Sequence, residues 1–148
     1  MAEELAKVFF YLEKDKDGYP PVGVESLWAI PRDDGFELDN IPFYARGVAL
    51  GDVVSVEKAA DGGLEFNGVV RRGGHSCYRI WLLKKRPDDP QFTFEELKGL
   101  GLRVEIDLNK LMAIDVPPNL PLASVEDFLV KGKESGRWEL EDGYCAGE

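Results

Sequence analysis

Ser76-Cys77-Tyr78-Arg79-Ile80-Trp81-Leu82-Leu83, then Pro87-Asp88-Asp89-Pro90, then Thr93-Phe94-Glu95-Glu96-Leu97: this is the stretch on which the fold turns. Its first part is aliphatic and aromatic enough for a strand, and two prolines then stop any regular element. Thr93 with Glu96 three residues later is a capping-box pattern, which predicts a short helix ending near Gly101. Strands at 102–107 and 110–116 follow. Ser124, with Asp127 at the third position, predicts the cap of a second helix, and Val125, Phe128 and Leu129 form its apolar stripe. Gly136 stands where such a helix would stop, before a last strand at 137–141. From His75 onward the order is strand, helix, strand, strand, helix, strand, the split βαβ pattern of ferredoxin-like folds. Right-handed crossovers and single apolar stripes predict a four-stranded antiparallel sheet with both helices on one face, burying Trp81, Ile106, Ile114 and Phe128.

Upstream, apolar and polar residues alternate with period two in strands expected at 7–13, 24–30, 36–41, 52–57, 64–71 and 76–83. Turn chemistry at Asp17-Gly18, Asp33-Asp34-Gly35 and Asp61-Gly62-Gly63 separates them and implies antiparallel pairing. The expected fold is therefore α+β. A strand-rich N-terminal portion (1–74) is continuous with a ferredoxin-like, split βαβ C-terminal portion (75–148), within one compact domain of 148 residues.

The chain carries 28 acidic against 18 basic residues, a formal charge of −10. That balance argues against a general nucleic-acid binder and suits docking onto a basic protein partner. The longest apolar runs, such as 104–116, are broken by charges well short of the roughly 20 residues of a membrane span. The start Met1-Ala2-Glu3-Glu4-Leu5 lacks the basic flank and apolar core of a secretion signal, and two distant cysteines make no disulfide framework. These features point to a cytoplasmic protein.

One segment reverses the overall charge. Between Asn67 and Pro87 stand Arg71, Arg72, Arg79, Lys84, Lys85 and Arg86 with no acidic residue, together with the sole histidine, His75, and Cys77. Gly74-His75-Ser76-Cys77-Tyr78 begins like a nucleophile elbow, yet Tyr78 stands where glycine is needed and a strand follows. His75 and Cys77 fall on the same side of one strand, where a thiol and a base could pair, but nothing besides the nearby arginines would activate the sulfur. Glu13-x-Asp15-x-Asp17-Gly18 imitates the opening of a calcium loop without its closing glutamate, so a hairpin turn is the better reading. One histidine and two separated cysteines do not compose a zinc site, and no phosphate-binding glycine fingerprint is present. No cofactor and no metal are expected.

The words Pro20-Pro21-Val22-Gly23-Val24-Glu25-Ser26-Leu27-Trp28-Ala29, the run from Leu38-Asp39-Asn40-Ile41-Pro42-Phe43-Tyr44-Ala45-Arg46 to Val54, and Gly74-His75-Ser76-Cys77-Tyr78-Arg79 resemble a bacterial family known as domain of unknown function 4265. Ala113-Ile114-Asp115-Val116-Pro117-Pro118, with Gly132, Gly136, Trp138 and Glu141, fits the same family. The resemblance implies a bacterial cytosolic protein and brings no activity or catalytic residue. The helix, Gly and Trp of the closing stretch also resemble ferredoxin-like regulators that bind and inhibit an acid-tolerant RNA-degrading enzyme.

The candidate binding residues are Trp28, Asn40, Phe43, Tyr44, Arg46, His75, Tyr78 and Arg79. The aromatics and arginine of the connection 39–52 are the type that anchors interfaces. The functional expectation is a non-enzymatic protein-binding module of the regulator, inhibitor or immunity type. The alternative is a small-molecule binder or small enzyme with a pocket near His75, Cys77 and Arg46, its ligand a small anion held by the basic stretch.

Overall fold

Residues 4–83, 90–107 and 110–147 are described by the computed structural model of the chain. The cluster Lys84-Lys85-Arg86 lies outside them.

The first five strands close into a barrel. β1 (Ala6–Tyr11) and β2 (Val24–Arg32) pair antiparallel with Val8 opposite Leu27, and β3 (Gly35–Leu38) and β4 (Val53–Lys58) extend the meander. β5 (Leu64–Arg71) returns along β4 through two register shifts and closes the barrel by running parallel to β1, with Val8 opposite Leu64. Bulges of this kind bend a strand and sharpen its twist, which a small barrel needs. The period-two alternation then sends Val8, Phe10, Leu27, Ala29, Leu38 and Val54 inward as one cluster.

The remainder is a four-stranded sheet in the order β7-β8-β6-β9, all neighbours antiparallel. Its strands are β6 (Ser76–Leu82), β7 (Arg103–Asp107), β8 (Leu111–Val116) and β9 (Trp138–Tyr144); helix α1 (Pro90–Gly99) precedes β7 and α2 (Leu122–Glu134) precedes β9. Tyr78, Ile80, Met112 and Ile114 share a buried cluster with Leu97 of α1 and with Val125 and Leu129 of α2, so both helices cover the same face. Trp138 completes the cluster. It is fully buried, its Nε1 donates to the carbonyl of Leu129 at 2.9 Å, and its ring lies against Gly132, where any side chain would occupy the indole's place.

The mixed α+β class read from the sequence holds, and several local expectations do not. Thr93 lies inside α1, buried, its hydroxyl without a hydrogen-bond partner among the described residues, instead of capping the helix. Pro121, with no side-chain cap, takes the position expected of Ser124. Trp81 is 42% exposed because it alternates onto the face opposite the helices, and Ile106, on the edge strand β7, is 38% exposed. Phe128 is half-buried beside Trp138, while Ile114 is fully buried as expected.

The second face of the sheet meets the barrel through residues 39–52, between β3 and β4. Two carboxylates shape this connection. Glu25 accepts backbone N–H groups from Phe43, Tyr44 and Ala45 at 2.7–3.1 Å. The fully buried Asp52 accepts from the N–H of Ala49 and Gly73 and from Arg72. A carboxylate that collects several donors compensates its own desolvation and fixes the backbone that supplies them. The connection thereby seats Ile41, Ala49 and Phe43 against Cys77 and Ala113, a small cluster between the two large ones.

Candidate recognition cleft

The connection covers one half of the second sheet face and leaves the other open. Odd-numbered residues of β6, with their cross-strand partners, make up this face: Cys77 opposite Asp115, Arg79 opposite Ala113 and Glu141, Trp81 opposite Leu111 and Glu139. Cys77, Ala113 and Asp115 lie fully buried. Beyond them the surface falls into two adjoining clefts of about 290 and 320 Å³. Both contain Tyr19, Trp81 and Leu111; the first adds Arg79, Glu139 and Glu141, and the second adds Asp17, Pro21 and Tyr44.

The walls are built by turn chemistry. The Oδ1 of Asp15 accepts the N–H groups of Asp17 and Tyr19 at 2.8 and 3.0 Å, a local turn that turns the calcium-like sequence into a support for Tyr19. Tyr19 meets Tyr44 edge to face, with ring centroids 6.2 Å apart. Both phenols are pushed above their ordinary value, first by burial and next by a carboxylate, Glu141 for Tyr19 and Asp107 for Tyr44.

The floor carries a buried ion pair. Arg79, 1% exposed, donates from Nε to Glu141 Oε1 at 3.0 Å and from Nη1 to the sulfur of Cys77 at 3.6 Å. Nη2 lies 2.9 Å from the same carboxylate oxygen without the alignment of a hydrogen bond. The guanidinium fits because residue 143 is glycine: a Cβ there would collide with Nη1. From the rim, Arg46 adds a second ion pair to Glu141 at 2.8 Å.

The candidate residues thus part into groups. Tyr44, Arg46 and Arg79 come together at the cleft. Trp28 stands on the outside of the barrel with Lys7 over its ring, and its backbone N–H donates to Asn40 Oδ1, giving Asn40 a structural task. Phe43 packs into the small junction cluster. Tyr78 points to the helix side, donating its hydroxyl to Glu126 and accepting from the Cys145 thiol; burial, then these two neighbours, push its pKa far up. His75 Nδ1 lies 2.9 and 3.0 Å from the two oxygens of the buried Asp115, whose own pKa is raised by burial against the opposing pull of His75. The Cys77 thiol donates to the carbonyl of Pro42 and is pushed up to about 11 by burial, the reverse of what a nucleophile needs. The arginines of the basic stretch are held internally as well, Arg71 by Asp34 and Arg72 by Asp52. Sequence reasoning missed Tyr19, Leu111 and the role of Trp81. The period-two alternation carried a signal for Trp81, since it shares a face with Arg79; Tyr19 shows none before the turn at Asp15 is in place.

The molecule is thus a closed barrel joined to a helix-backed sheet, with an aromatic cleft beside the junction in which Glu141 engages both Arg46 and Arg79. Residues 25–140 match the model of the family described as Domain of unknown function (DUF4265), and the chain belongs to that family. A solved structure titled as a hypothetical protein from Neisseria gonorrhoeae is similar over 100% of both chains, with a TM-score of 0.79 and 19% identity, a likeness of fold. A search of curated proteins gives no match. Among the described residues no helix is long and apolar enough to cross a membrane.

Proposed function

We propose that this is a non-enzymatic binding protein of the bacterial cytoplasm that docks onto a basic protein through the cleft lined by Tyr19, Tyr44, Trp81 and Leu111. The observation that carries the reading is the exposure of Trp81 beside Tyr19 and Tyr44 in a concave, apolar surface rimmed by carboxylates, since anchors of this composition dominate binding energy. Two buried free cysteines suit a reducing compartment. The order β7-β8-β6-β9 in a βαββαβ chain supports a ferredoxin-like C-terminal portion, of which the cleft uses the face that the helices leave bare. The alternative, a reactive or anion-binding pocket at His75, Cys77 and Arg46, has less support: the thiol is buried and neutral, and the neighbouring arginines are already paired with carboxylates.

The test is retention of proteins from a bacterial extract on immobilised wild type and on Trp81→Ala, Glu139→Gln, Arg71→Ala and Trp28→Ala. The reading expects a basic protein that wild type, Arg71→Ala and Trp28→Ala hold alike, that Trp81→Ala releases, and that salt and Glu139→Gln weaken. Retention indifferent to Trp81 but lost with Arg71→Ala would favour an anion site instead.

A further inference from the structure

Resting on that reading, the geometry points to the occupant's chemistry: we propose that the cleft takes a cationic side chain, lysine or arginine, presented by a basic protein segment, with Tyr19, Tyr44 and Trp81 as an aromatic cage for its stem and head. Three aromatic side chains line one recess of about 320 Å³, two of them in edge-to-face contact, and the recess has Asp17 on its wall. The adjoining recess brings Glu139 and Glu141. Aromatic faces attract cations, and the attraction grows where water is excluded.

The charges around the cage decide its sign. Arg79 and Arg46 are both engaged by Glu141, at 2.9 and 2.8 Å, so these two cations lie against one carboxylate. Asp17 and Glu139 line the clefts, and Asp107, opposite Leu111 across β7 and β8, lies close enough to Tyr44 to raise its pKa. Among the described residues these and Glu141 make four carboxylates against the two guanidiniums, and the whole chain is at −10. An anionic or neutral apolar occupant would meet this field without compensation, whereas a side chain with an apolar stem and a positive end satisfies rings and rim together.

The test is calorimetric titration of the full chain with four heptapeptides that alternate glycine with lysine, arginine, N-ε-acetyl-lysine or glutamate. Saturable binding of the lysine or arginine peptide is expected, with the acetylated peptide about tenfold weaker and the glutamate peptide silent. Tyr44→Ala and Trp81→Ala, whose folding is checked by denaturant midpoint, should each weaken binding about tenfold, and Trp28→Ala should leave it unchanged. Equal binding of free and acetylated lysine peptides, binding of the glutamate peptide, or no binding of either cationic peptide would overturn the cage. If the retained protein of the preceding test is lost with Trp81→Ala yet not displaced by the cationic peptides, the cationic occupant falls and the docking surface stands.

Discussion

The two faces of the C-terminal sheet arise from the same alternation and come out as opposites. Toward the helices, Tyr78, Ile80, Met112, Ile114 and Trp138 pack into a closed core. Toward the barrel, the same strands present Cys77, Arg79, Asp115 and Glu141, and a tryptophan left 42% exposed. The lesson is that period two assigns residues to a face without saying what will cover it. Helices cover most of one face because each carries an apolar stripe, leaving a polar cleft beside Tyr78 and Glu126; the connection 39–52 covers only part of the other, and the aromatic cleft is what remains there.

The sharpest way to break this contrast is to truncate a tryptophan on each face. Trp138→Ala should cost about 3 to 5 kcal/mol, because a fully buried indole is lost and the Leu129 carbonyl loses its donor. Trp81→Ala should cost less than about 1 kcal/mol. Denaturant unfolding measures both, and comparable losses would mean that the barrel-side face is as closed as the other.

Next in size is the buried charge. Arg79→Met should destabilise by about 2 to 3 kcal/mol, since Glu141 is left with the exposed Arg46 as its ion-pair partner. A neutral effect in the same unfolding assay would show that the pair is dispensable for folding.

The buried thiol sharpens the comparison through pH. The folded-state pKa of Cys77 is raised above its ordinary value to about 11, so the folded chain keeps a proton that the unfolded chain gives up. Its contribution to stability is therefore intact below the ordinary thiol range and is lost as pH rises toward 11, by on the order of 2 kcal/mol. Cys77→Ser should flatten that alkaline fall, and any binding by the cleft should survive the substitution. Unfolding midpoints from pH 8 to 11 follow the effect, which an identical slope in both proteins would exclude.

The smallest effect is expected at the rim. Arg46→Ala removes an ion pair whose arginine side chain is 68% exposed, and should change stability by less than about 1 kcal/mol.

Much of the element order was legible in the sequence because strands and helices carry different periods. The bounds of β5 are those expected, and the remaining strands begin or end within a few residues of their expected limits. What was not legible depends on contacts distant in sequence. Closure of the barrel rests on the parallel pairing of Val8 with Leu64, which no local pattern announces. Thr93 and Ser124 had the chemistry of caps, but both helices start earlier, α1 with Pro90 in its first turn, where its fixed φ is compatible, and α2 after Pro121 in an extended N-cap position. At the site, Tyr44, Arg46 and Arg79 were legible as candidate anchors, whereas Asn40 and His75 proved to hold structure, Asn40 through Trp28 and His75 through Asp115. Polar residues beside aromatics look alike in sequence whether they bind a partner or their own backbone.

The most direct test of the central claim is a two-dimensional amide spectrum in which Trp28, Trp81 and Trp138 report separately from the barrel exterior, the cleft and the helix-side core. Titrated with the alternating glycine and lysine heptapeptide, the indole resonance of Trp81 should move and saturate while those of Trp28 and Trp138 hold still. A shift of Trp28 with Trp81 unmoved would contradict the account and place recognition on the barrel.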